Sequence, residues 1–287
     1  MFRRGDYTVV TAKPIQINAA ALSIRLLALL EKIGARAGTE DVHRLRTTVR
    51  RLEVHLPDSP PKLSKYLKSL RKKAGKVRDI DVHLDLLKTV LPLRTSAPRT
   101  AASAAREKLR QKLSKILREM RRSHLESLRE TVAEATPFLE AKLPIQAERA
   151  SESEAAAHNV HKETQRARKH FLQWTRIVPE DAERLHRLRI NTKSLRYSME
   201  ILSENEEAAE LVVKFKLVQD AIGKWHDWAT LTELAERELE SPEAEPLCTV
   251  LRSVTGCKYR QARRTAERVR AWMIGKPMAS AAGNSGS

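Results

Sequence analysis

Apolar residues recur at helical spacing along nearly the whole chain. Between 15 and 36, Ile17, Ala21, Ile24, Leu27, Leu30 and Ile33 fall on one side of a 3.6-residue period. The same period predicts helices over 40–56, 62–74, 80–90 and 99–134. Thr39 or Asp41 would cap the second of these, and Pro60-Pro61 breaks the chain after it. Gly75 reads as a helix stop, Asp79 as the cap of the next helix, and Pro92 as its end. Thr136 to Ala147 holds Pro137 and Pro144 and reads as a linker. Beyond it the order repeats: 149–177, 180–203, 206–222 ending at Gly223, 227–240, and 243–273. No useful β alternation is present. The expectation is an all-α fold with one helical unit over 8–135, a linker over 136–147 and a second unit over 148–273. Each unit would have four main helices, and a Gly/Ser/Ala tail at 274–287 would be disordered.

The polar positions repeat as well. His43-Arg44-Leu45-Arg46, followed by Arg50 and Leu52, is matched by His186-Arg187-Leu188-Arg189, followed by Lys193 and Leu195. A second block follows each: Leu67-Lys68, Ala74-Gly75-Lys76, Arg78-Asp79 and then Phe215-Lys216, Ile222-Gly223-Lys224, His226-Asp227. The offset is 143 residues for the first block (43 to 186) and 148 for the second (75 to 223). One change of loop length gives that difference, so the chain reads as a tandem duplication.

At about 100° per residue, His43, Arg46 and Arg50 share one helix face, while Val42, Leu45, Val49 and Leu52 share the opposite one. His186, Arg189, Lys193 and Arg196 form the matching stripe in the second copy. A solvated helix face intersperses acids at i±4, where each pair adds a few tenths of a kcal/mol, about 0.3. No acid lies between Asp41 and Glu53. A repeated cationic stripe without acids is better explained by an anion that neutralises it. Arginine suits phosphate because its planar fork binds two oxygens at once. Lys68, Lys216, Arg78 and His226 extend the candidate surface, as do Arg118 and Arg122 on the long helix and Arg260 and Arg264 near the C-terminus. Asp79 and Asp227 have a second reading, as groups that orient a neighbouring Arg or His.

Composition agrees with an anionic partner. The 287 residues carry 54 Lys+Arg against 36 Asp+Glu, a net charge of +18. The two cysteines, Cys248 and Cys257, would lie roughly 13 Å apart on one helix, too far for a disulfide, so a reduced intracellular protein is expected. No window approaches the roughly 20 apolar residues of a membrane span.

Rival chemistries find little support. No glycine-rich phosphate loop, HExxH or GxSxG is present, and no acid cluster accompanies His43 or His186 for phosphoryl transfer. No catalytic residue is assigned, and an enzyme is not expected. His158 and His161 are two ligands where a metal site needs more, so no metal or other cofactor is expected. Non-specific nucleic-acid binding is the main alternative. It would want exposed aromatics for stacking, and Trp225 and Trp228 beside His226-Asp227 are the candidates.

The blocks VHRLRTTVRRL, KSLRKKAGKVRDIDV, LHRLRINTKSLRYSMEIL and VQDAIGKWHDWATL resemble the CHAD domain, the conserved histidine α-helical domain. The likeness runs from about residue 8 to 273. It implies two four-helix bundles related by a pseudo-twofold, a basic central channel, and binding of inorganic polyphosphate. It carries over to His43, Arg46, Arg50 and Arg78, and to His186, Arg189, Lys193, Arg196 and His226. The copies differ where Glu53 stands for Arg196 and Arg78 for His226. Some members carry an N-terminal triphosphate-tunnel domain. This chain has no room for one before residue 15 and looks like a stand-alone, monomeric member, expected in the cytoplasm and on polyphosphate granules.

Overall fold

The computed structural model describes residues 18–90, 101–154, 160–202, 204–240 and 242–275. These fold into eight α-helices and one short 3₁₀ turn, with no strand among the described residues. The helices are α1 (Ala19–Arg36), α2 (Thr39–His55), α3 (Pro61–Thr89), α4 (Ala101–Glu154), α5 (Val160–Trp174), α6 (Ala182–Ile201), α7 (Glu206–Leu239) and α8 (Glu245–Gly275). The predicted helix starts at 15 and 99, His158 and the tail beyond Gly275 lie outside the described residues.

Side-chain caps start several helices. Asn18 Oδ1 accepts from Ala21 N at 2.9 Å, Asp181 Oδ1 from Arg184 N at 2.7 Å, and Asn205 Oδ1 from Ala208 N at 3.2 Å. At α2 the N-cap is Gly38 rather than Thr39 or Asp41, and the Asp41 carboxylate accepts from Gly38 N at 3.2 Å. Pro61 opens α3, where its missing N–H would have no partner anyway.

Two predicted breaks are absent. Gly75 and Gly223 do not end helices; α3 and α7 run straight through them. The apolar phase explains it. Leu63, Leu67, Leu70, Ala74 and Val77 are buried in one unbroken register, and so are Leu211, Phe215, Val218, Ile222 and Trp225. A helix whose core face continues past a glycine has no reason to stop there. Asp79 and Asp227 are therefore helix-interior residues and not N-caps.

The predicted linker at 136–147 is also helical, part of α4 despite Pro137 and Pro144. Leu128, Val132, Ala135, Leu139, Leu143 and Ala147 are buried at spacings of three and four across it. Pro137 is exposed and Pro144 half-buried, on other faces. An interior proline costs about 3 kcal/mol, and this buried row offsets it.

The buried residues form three clusters. One joins α1, α2 and the first part of α3 to the second part of α4. A second joins α5, α6, the first part of α7 and the second part of α8. The third gathers the remaining ends of α3, α4, α7 and α8, with Ile80, Leu87, Leu113, Leu117, Trp228, Leu231, Leu247 and Leu251. Contacts of α2 with α6 and of α3 with α7 bring the two motif-bearing helix pairs together.

Candidate functional site

The two cationic rows face each other where α2, α3, α6 and α7 meet. On α2, Val42, Leu45, Val49 and Leu52 are fully buried, which turns His43, Arg46 and Arg50 away from the first core. On α6, Leu185, Leu188 and Met199 do the same for His186, Arg189, Lys193 and Arg196. Arg46 feels the charges of Arg50, Arg189 and Asp227, and Lys193 those of Arg50, Arg189, Arg46 and Arg196. The rows belong to different halves of the sequence and to one electrostatic site.

Each glycine serves its arginine. A Cβ built on Gly75 would stand 3.5 Å from Arg46 Nε, and one on Gly223 would stand 3.6 Å from Arg189 Nε. The two guanidinium groups thus lie across bare backbone on α3 and α7. Asp79 lies below Arg46, with 3.7 Å between Oδ1 and the Arg46 NH1 nitrogen.

Electrostatic stress concentrates here. Burial, with the charges of Arg50, Arg189, Arg46 and Arg196, pushes the Lys193 amine down to about 6. Burial lowers the Arg46 guanidinium too, with Asp79 opposing and Arg50 and Arg189 adding to the effect. His226 is pushed down to about 4 by burial, then by Arg189, His186 and His83. Burial lowers His43 and His186 as well, with Arg78 adding for the first and Arg189 for the second. Asp227 is raised by burial against the pull of Arg189. Lys193 and these histidines are therefore held toward neutrality first by burial and then by the cations around them. Arg50, Arg189 and Lys193 form no ion pair with a carboxylate among the described residues, although Asp227 lies close enough to Arg189 to feel its charge. His43 Nδ1, His186 Nδ1 and Arg189 Nε are buried there without a hydrogen-bond partner.

Other predicted residues sit differently. The His186 and His226 rings are 4.6 Å apart at the seam. Arg78 is half-buried on α3, close enough to His43 to lower its pKa. Arg196 is already neutralised: it donates to Glu200 Oε1 at 2.5 Å and to Gln219 Oε1 at 2.9 Å. Arg71 pairs with Glu53 at 2.6 Å, and the matching positions are Gln219 and Arg196, so the contact keeps its place with the arginine moved to the other helix and a neutral amide as its partner. Lys68 and Lys216 are exposed two turns before the glycines, on the same face of their helices. Arg118 and Arg122 are exposed on α4. Arg260 and Arg264 line a separate groove of about 760 Å³ along α8, with Cys257, Gln261 and Arg268.

Sequence reading missed three residues of the seam. His83 donates or accepts through Nε2 with Thr230 Oγ1 at 3.0 Å, tying α3 to α7. It lies one turn after Asp79 on the same helix face, a signal that the presumed helix break at Gly75 hid. Glu200 and Arg51 meet across α6 and α2. Glu200 continues the 189–193–196 spacing by one more turn. Trp225 and Trp228, the candidates for base stacking, are only 5% and 7% exposed and pack in the cores. Among the described residues no helix is long and apolar enough to cross a membrane, and no cluster of three or more His, Cys, Asp or Glu is placed to hold a metal.

The chain matches the CHAD domain family over residues 20–236. Its fold is similar to that of the crystal structure of the CHAD domain from the plant Ricinus communis, with a TM-score of 0.65 at 18% identity, covering 91% of this chain and 90% of that one. No curated protein sequence matches it.

Proposed function

The chain belongs to the CHAD domain family, and from that membership we propose that its seam binds inorganic polyphosphate without turning it over. Family membership is consistent with polyphosphate binding in general. The observation that carries the reading is the meeting of Arg46, Arg50, Arg189 and Lys193, where Asp79 and Asp227 are the acids that act on Arg46 and arginines are the charges that act on Lys193. A linear polyanion supplies the missing charge in a continuous run and presents no bases to read. Arg46, Arg50 and Arg189 make the charge-assisted contacts, Lys193 adds a point charge, and His43, His186 and His226 donate further hydrogen bonds. In this reading the protein is a granule-associated or targeting module.

Duplex DNA is the competitor that tests the assignment. At physiological salt, long-chain polyphosphate displaces DNA of equal phosphate content. DNA winning would instead assign the seam to nucleic acid. The double reversal Arg46→Glu/Arg189→Glu keeps its helical circular dichroism and loses polyphosphate binding. Polyphosphate incubated with stoichiometric protein is recovered at full length on a gel, and shortening would show catalysis.

A further inference from the structure

The stripe on α6 does not end on a cation. Arg189, Lys193 and Arg196 are spaced by four and three residues, and Glu200 follows four later on the same face. Its carboxylate is shared between the halves. Oε1 accepts from Arg196 at 2.5 Å, and Oε2 stands 3.9 Å from Arg51 Nε on α2. Arg196 is held on its other side by Gln219 and lies over the Tyr197 ring at 4.5 Å. The group is well sheltered, with 13% of the Arg196 side chain and 25% of the Glu200 side chain exposed. One guanidinium group thus hydrogen-bonds one oxygen of the internal anion, and a second, from another helix and 37% exposed, faces the other oxygen at ion-pair distance, as two arginines would face the oxygens of a phosphate. The first copy has no such group: Pro57 occupies the position matching Glu200.

We propose that Glu200 is a built-in phosphate surrogate that occupies the last anion position of the seam, competes with the incoming polyanion there, and sets how many phosphates the track engages. This rests on the polyphosphate reading of the seam. In the free protein Glu200 keeps Arg196 and Arg51 from repelling each other. In the complex it confines the ligand to the stretch from the histidines to Lys193. A phosphate chain advancing by one more unit must displace this carboxylate or bear its repulsion.

The test is polyphosphate binding to the full chain as a function of salt, for wild type, Glu200→Gln and Glu200→Lys, with circular dichroism and thermal melting as controls for folding. Glu200→Gln binds long-chain polyphosphate about three- to fivefold tighter at physiological salt, on the scale of one partly exposed ion pair. Glu200→Lys binds tighter still. The log–log salt slope steepens by roughly 0.7–0.9 for each phosphate newly engaged, as for other polyanions. Variants that bind no tighter than wild type, with an unchanged slope, make Glu200 a tether that only positions Arg196 and overturn the proposal alone. A wild type without salt-dependent polyphosphate binding overturns the seam assignment together with it.

Discussion

Lys193 is the residue on which the electrostatics of the seam turn. Its amine is pushed down to about 6 from an ordinary 10.5, first by burial and then by four arginines. A bound polyanion offsets those charges and restores the proton. Between pH 6 and the ordinary lysine range binding therefore takes up protons, and affinity falls as pH rises through that window. Calorimetric titration in two buffers of different ionisation enthalpy reads this uptake directly; Lys193→Gln flattens the pH profile. Stability follows the same linkage. Over that window the unfolded chain holds more protons at Lys193 than the fold does, so the unliganded fold gains stability as pH rises from 6. Lys193→Gln, by removing an amine that must give up its proton when the chain folds, raises the thermal midpoint at pH 7 while weakening binding. At this scale the sequence was informative about type and poor about partnership. His43, Arg46, Arg50, Arg189 and Lys193 were legible from two acid-free stripes. That Arg196 is taken by Glu200 and Arg71 by Glu53 was not, because each pairing depends on how neighbouring side chains point and pack.

Among the elements, α3, α4 and α7 carry the tension between local signals and packing. Gly75→Ala and Gly223→Ala each stabilise the fold by up to about 1 kcal/mol, because the helix gains propensity and the new methyl meets only ordinary contact with an arginine. Gly75→Leu instead pushes Arg46 off α3 and weakens polyphosphate binding with little loss of helicity, checked by melting and titration together. Leu139→Ala costs about 2–5 kcal/mol in denaturant unfolding, since this fully buried side chain belongs to the first core. Glu140→Ala, exposed one residue later, costs within about 0.5 kcal/mol; equal effects would contradict a packed helix over 136–147. These helices show why the fold class was legible and the element ends were not. Apolar periodicity revealed nearly all of the helical content. Glycine and proline, taken as punctuation, split α3 and α7 and unwound part of α4. The buried register through Gly75, Pro137, Pro144 and Gly223 held more information than the residues that interrupted it.

Across the whole molecule, two four-helix groups with separate cores are joined at a third, and their charged faces meet between α2, α3, α6 and α7. Binding at that meeting place ties both halves to one ligand, so saturating polyphosphate raises the unfolding temperature of the whole chain. The geometry also makes a statement about cooperation between the halves. Arg50 and Arg189 come from different cores yet both act on Lys193. A seam read as one site is damaged by either half alone, whereas two independent half-sites would share the loss. Titrating long-chain polyphosphate into wild type, Arg50→Glu, Arg189→Glu and the double variant tests this most directly. The account predicts that each single reversal removes most of the affinity and that the double loses less than the sum of the two. Two additive losses, each leaving the other half's binding intact, would contradict it.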